Sequence, residues 1–340
     1  MNPKTVLFGS GILVLLLGSN FAHSFSEKEK VVYKRINGME LASLNRNLKE
    51  CLPSVDLSIY LAEKTAQPHR YVQFPEELLK SLETSREIFA SAGVQLKIRS
   101  IKRSRVPPSW LEITANQLKR APVAPKYNTY LAYRQEEWSL SEQAERVLEG
   151  IIEKEPFNNR TIYLVFLQEV KMTYFHRNTD RKFEIMSIPT GGLSLPSYLF
   201  ENRIPGRIRG AITICRDQGN IGRTIAHELG HKLMNVSDEY REIDPQFVIR
   251  AKGGLMVYGT GTDIPAGKVG RWQKERLHLS PWIYTEPEKG HRKWNPDYRE
   301  NGHYYDPIYG HHVVRFGEME IPHRPITGRG AKNEKTKKGG

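Results

Sequence analysis

Ile225-Ala226-His227-Glu228-Leu229-Gly230-His231-Lys232-Leu233-Met234-Asn235 is the stretch whose reading decides the fold. At about 100° of rotation per residue, with Ile225 at zero, Ala226, Leu229 and Leu233 fall between about 0° and 100°. His227 and His231 lie together near ~200° and ~240° on the other side. Such a helix packs one face into a core and presents two imidazoles to a cleft. Histidines four residues apart on one helix face are the spacing that zinc requires. Glu228 lies near ~300°, beside the histidines, where it reaches a water without being a ligand. With 11 His in 340 residues, this pattern arises by chance about 0.02 times in a chain of this composition. Two surface histidines on an ordinary helix is therefore the poorer reading.

A catalytic zinc site has three protein ligands and one open position. Asn235 tolerates a left-handed conformation and is expected to end the helix, so that the chain folds back toward the metal. The next residues are Val236, Ser237, Asp238, Glu239 and Tyr240. Asp238 is read as the third ligand, with Glu239 as its direct competitor.

The stretch resembles the metzincin class of zinc peptidases, whose motif runs past the second histidine through a Gly turn to a third ligand. Here Met234 stands where that Gly is expected and Ser237 where the third His is expected. The acid arrives one residue later, and this spacing with Asp238-Glu239-Tyr240 is similar to the IgA-metallopeptidase-like family. Gly254-Leu255-Met256-Val257-Tyr258-Gly259, with Met256 25 residues after His231, resembles the Met-turn beneath the metzincin zinc. The strong resemblance covers about 211–260. It implies a metzincin-like fold, one zinc ion, and peptide-bond hydrolysis with Glu228 as general base. It also implies that Tyr258 helps to stabilise the oxyanion, and that the strand at 211–215 is the cleft edge that pairs with an extended substrate.

Upstream, Val55–Leu61 alternates like a strand. Pro75 opens a helical period that runs to about Ala92, with Gly93 as its stop. Val94–Ile98 alternates again, which makes a β-α-β unit with parallel strands. Residues 103–136 read as a long loop or insertion. A helix is expected from about Ser141 to Glu153, and Thr161–Val170 is apolar enough for a strand buried on both faces. Residues 176–206 read as loop, and Ala211–Cys215 as a short strand. The fold class is α/β (α+β): a mixed twisted sheet with the motif-bearing helix. The domain spans 25–285, its core about 50–285, followed by an irregular extension over 286–340.

Lys4, the apolar run Val6–Gly18 and Ala22-His23-Ser24 have the form of a signal peptide over 1–24. The apolar run falls short of the ~20 residues of a spanning helix, so the expectation is a secreted or periplasmic protein without stable membrane insertion. Formal net charge is +13, which favours acidic surfaces or polyanions as contacts and says nothing about fold. The basic tail, 325–340, reads as disordered. No zinc-finger or aromatic-basic motif accompanies the charge, so nucleic acid is not an expected partner; a protein or peptide substrate is. Cys51 and Cys215 are the two cysteines, read as one disulfide or as two separate thiols. Cys215 is also considered as a metal ligand. Lys102-Arg103 and the nearby Arg105, which precede a long loop, are read either as a cleavage point for a pro-segment or as without such a role. The histidines at 291, 303, 311, 312 and 323 match no ligand spacing. Two alternatives remain at this level: a zinc amide hydrolase acting on a cell-wall substrate, and a catalytically silent exported binding protein.

Overall fold

The protein is described by a computed structural model at residues 31–118, 138–154, 160–177, 180, 183–196, 204–215, 221–236, 254–256, 264 and 267–296. The signal-like segment, the third-ligand candidates, Tyr258 and the basic tail lie outside these residues. In chain order the strands are β1 (Val32–Arg35), β2 (Ser54–Glu63), β3 (Gln95–Arg105), β4 (Glu112–Thr114), β5 (Asn116–Leu118) and β6 (Trp138–Leu140). They continue as β7 (Ile162–Leu167), β8 (Glu169–Arg177), β9 (Phe183–Thr190), β10 (Gly192–Ser194), β11 (Ala211–Cys215), β12 (Tyr284–Glu288) and β13 (His291–Trp294). The helices are α1 (Leu41–Leu44), α2 (Arg70–Gln73), α3 (Pro75–Ala90), α4 (Glu142–Ile151), α5 (Ile221–Met234) and α6 (Gly267–His278).

The main sheet runs in the order β1-β3-β2-β7-β11-β10, and the β12–β13 hairpin joins it through Tyr284 opposite Ser54. β3, β2, β7 and β11 are parallel, while β1 and β10 close the two sides antiparallel. Strand periodicity sorts the side chains into two layers. Leu57, Ile59 and Leu61 of β2 share one core with Leu164 and Phe166 of β7, Leu78 and Phe89 of α3, and Ile225, Leu229 and Leu233 of α5. Tyr60, Tyr163 and Val165 point the other way, onto Val147, Leu148 and Ile151 of α4. Every residue of β2, β7 and β11 is buried, as expected for strands covered on both faces. The helix starts follow local chemistry. Pro75 sits at the first position of α3, and Ser141 Oγ accepts the Ala144 N–H at 3.0 Å to cap α4.

The structure corrects the sequence reading in several places. The first part of the supposed insertion at 103–136 contains strand, because β3 runs to Arg105 and β4 and β5 follow; residues 119–137 lie outside the described set. Lys102, Arg103 and Arg105 sit in β3, with Lys102 paired with Glu153 and Arg103 with Glu63. The supposed loop at 176–206 contains the end of β8, all of β9, and β10. The boundary at 285 cuts through β12, so the first part of the C-terminal extension belongs to the sheet. That hairpin is pinned by Asp56 of β2, whose buried carboxylate accepts from Tyr284 Oη at 2.8 Å and Arg292 Nη1 at 2.6 Å. Cys51 and Cys215 are separate thiols, the first exposed and the second buried. No helix among the described residues is long and apolar enough to cross a membrane.

Candidate metal centre

α5 places the histidine pair. Its apolar residues anchor it against the sheet, with Ile225, Ala226, Leu229 and Leu233 fully buried. It stops at Met234, and Asn235 takes φ 55°, the left-handed turn anticipated from its side chain. Arg276 of α6 fastens this end: its Nε donates to Met234 O at 2.6 Å and its Nη2 to Asn235 O at 3.0 Å. These bonds satisfy carbonyls that a helix terminus leaves open.

The turn at Asn235 brings Val236 O to 2.7 Å from His231 Nδ1. Leu255 O lies 2.7 Å from His227 Nδ1, where Arg223 Nη2 also approaches to 3.3 Å. A carbonyl only accepts, so a ring that binds a metal through Nε2 would direct its Nδ1 proton to that carbonyl. The two Nε2 atoms stand 3.1 Å apart, their rings inclined at 83°. Two nitrogens on one tetrahedral zinc ion, at ~2.0–2.1 Å from it, are about 3.3 Å apart. The pair therefore fits a shared zinc ion, with a backbone carbonyl at the Nδ1 of each ring.

Met256 packs beneath the same helix and is fully buried. A Cβ on Gly230 would stand 2.5 Å from Met256 Sδ, so the glycine between the histidines is what lets the sulfur come this close. Leu255 and Met256 thus serve the helix twice, by a carbonyl on His227 and by an apolar floor at Gly230.

Glu228 is buried, and its Oε2 accepts the backbone N–H of Ser194 at 2.6 Å. A Cβ on Gly192 would meet Glu228 Cγ at 2.7 Å. The carboxylate therefore lies over β10, at the side of the sheet where the strand order ends. This corrects the expectation that 211–215 forms the cleft edge: β11 is flanked by β7 and β10, and among the described residues β10 is the outer strand. Lys232, one turn beyond Glu228, is almost completely buried, donates to Leu195 O and to Arg209 O (2.8 Å), and lies over Trp282. Burial holds its ammonium well below the usual lysine range, Arg209 adds to this, and Glu228 opposes it.

Among the described residues no third His, Cys, Asp or Glu completes a ligand group with the two histidines. Cys215 is engaged elsewhere, with its Sγ donating to Gln168 O at 3.1 Å. Asp238, Glu239 and Tyr258 lie outside the described residues. Sequence reasoning missed Gly192, Ser194, Lys232 and Arg276. The first two sit on a strand of three residues, too short for a period. Lys232 and Arg276 are buried, and no spacing in the sequence marks a charged residue as buried. Comparison with protein-family models finds no match. Comparison with curated protein sequences finds none either.

Proposed function

We propose that this protein is an exported zinc-dependent metallopeptidase of metzincin type that hydrolyses peptide bonds. The observation that carries the reading is the convergence of His227 Nε2 and His231 Nε2 to 3.1 Å, with each Nδ1 held by a backbone carbonyl. Leu255-Met256 supports it by packing against the motif helix at Gly230, the place that a Met-turn would take. His227 and His231 would hold the ion, with Asp238 as third ligand and Glu239 as the competing acid. When bound, zinc supplies Lewis acidity toward the scissile carbonyl and makes water a nucleophile near neutral pH.

The chain's own groups account for the remaining chemistry. Glu228 accepts the proton of the attacking water and returns it to the leaving amine, a role worth ~10²–10⁴ in rate. Tyr258 donates a hydrogen bond to the oxyanion. The outer strand β10 pairs with an extended substrate, which explains why the general base sits against that strand. The test is metal content with single-ligand variants. About one zinc per chain is expected, with His231→Ala and Asp238→Ala each weakening retention by ten-fold or more while the fold stays intact. Wild-type protein that takes up no zinc would overturn the reading. Retention lost in Glu239→Ala but not in Asp238→Ala would move the third ligand by one residue.

A further inference from the structure

The pairing of β10 with β11 determines where its backbone groups point. Cys215 N–H donates to Gly191 O at 2.7 Å, and the register then sets Gly192 opposite Ile214, Leu193 opposite Thr213 and Ser194 opposite Ile212. Hydrogen-bonded and non-hydrogen-bonded pairs alternate along an antiparallel ladder. Gly191 and Leu193 therefore bond inward to β11, while Gly192 and Ser194 turn their N–H and C=O groups outward. Among the described residues no strand pairs with that side of β10, and such an edge is a template for another extended chain.

Two of those outward groups are occupied from within the molecule. Ser194 N–H donates to Glu228 Oε2 at 2.6 Å, and Gly192 O accepts from Thr190 Oγ1 at 2.8 Å. Gly192 makes the first contact possible, since a Cβ there would strike Glu228 Cγ at 2.7 Å. The geometry points to a latch: in the resting protein the Glu228 carboxylate stands in for the carbonyl of an incoming strand. An extended peptide that pairs with β10 takes the Ser194 N–H and releases the carboxylate toward the histidines. Ser194 and Gly192 are thus positioning residues, and the length of peptide engaged on β10 governs when Glu228 is free. The purpose of the latch rests on Glu228 being the general base. The competition for the Ser194 amide does not.

The test uses the full chain and reads hydrogen exchange and binding rather than cleavage. In wild type the outward Ser194 amide is expected to exchange about as slowly as the inward Leu193 amide. In Glu228→Ala it should exchange on the order of ten-fold faster or more, the factor carried by one charge-assisted hydrogen bond. Neither Glu228→Gln nor Glu228→Ala has the carboxylate, so a fluorescein-labelled decapeptide of alternating Val and Thr stays uncut on both. Gln still accepts from Ser194 and Ala does not, so the peptide should bind Glu228→Ala about ten-fold more tightly. Thr190→Val in the Glu228→Gln background should tighten binding by a few-fold, because it releases Gly192 O. A wild-type Ser194 amide exchanging at the rate of an open strand end, or equal peptide affinity for the Gln and Ala variants, overturns the latch. Wild-type protein that shows this exchange pattern but cleaves no peptide would keep the latch and sink the enzyme. Cleavage without the pattern would do the reverse.

Discussion

Asp56 and Glu228 are both carboxylates withdrawn from water, and the protein surrounds them in opposite ways. Asp56 is fully buried on β2 and faces Arg292 at 2.6 Å, the Tyr284 hydroxyl at 2.8 Å and Arg99 at 3.6 Å. Its charge is answered by charge, and the cluster ties the β12–β13 hairpin to the sheet. Glu228 is held by a backbone N–H on an outer strand, beside a glycine and one helical position from a histidine. Glu228 also feels the buried ammonium of Lys232, so the difference lies in the donors: guanidinium groups and a phenol on Asp56, a backbone amide on Glu228. The first arrangement serves the fold. The second fixes a carboxylate beside the histidine pair.

The comparison can be broken by exchanging the expected consequences. Glu228→Gln should reduce peptide turnover by ~10²–10⁴-fold and shift stability by no more than about 1 kcal/mol, read by kinetics beside chemical denaturation. If unfolding rather than turnover changes, the assignment is wrong. Asp56→Ala should do the opposite. It leaves two guanidinium groups facing a vacancy and costs ~3–5 kcal/mol, while turnover per folded molecule stays within a few-fold.

Gly192→Ala sharpens the contrast further, because a Cβ overlaps Glu228 Cγ. It should reduce turnover by ~10-fold or more at a stability cost of ~1–3 kcal/mol. Unchanged kinetics would mean that the carboxylate does not need β10. The smallest effect concerns pH. Burial, then the facing Asp56, pushes the Tyr284 phenol well up from its ordinary value. The folded state therefore holds this proton longer than the unfolded chain does. The stabilisation is complete below the unfolded pKa of about 10 and drains as pH climbs beyond it. Tyr284→Phe should flatten that part of the stability curve, as followed by thermal unfolding between neutral and strongly alkaline pH.

Legibility in the sequence followed periodicity. Strands β2, β7 and β11 carry apolar or alternating runs long enough to be read as strands, helices α3, α4 and α5 show which face is buried, and Ala211–Cys215 was located residue for residue. Asn235 was legible because its side chain tolerates the φ of 55° that it adopts. β10 was not, since three residues cannot display an alternation. β9 hid for another reason: Ile185, Met186 and Ile188 are all exposed, so polar and apolar faces never separate. The β12–β13 hairpin depends on Asp56, whose partner Arg292 lies 236 residues further along the chain, a distance that no local pattern reports. At the candidate site the histidines and Glu228 were legible from helical geometry alone. The groups that hold them — Leu255 O, Val236 O and the Ser194 amide — are backbone atoms, and backbone atoms leave no mark on composition.

The most direct test of the account is one side-by-side measurement of zinc content and protein cleavage for the wild-type protein and its Glu228→Ala variant. The prediction is about one zinc per chain in both, with cleavage of a protein mixture by the wild type alone. Wild-type protein that binds no zinc, or a variant that cleaves as fast as wild type, would contradict it.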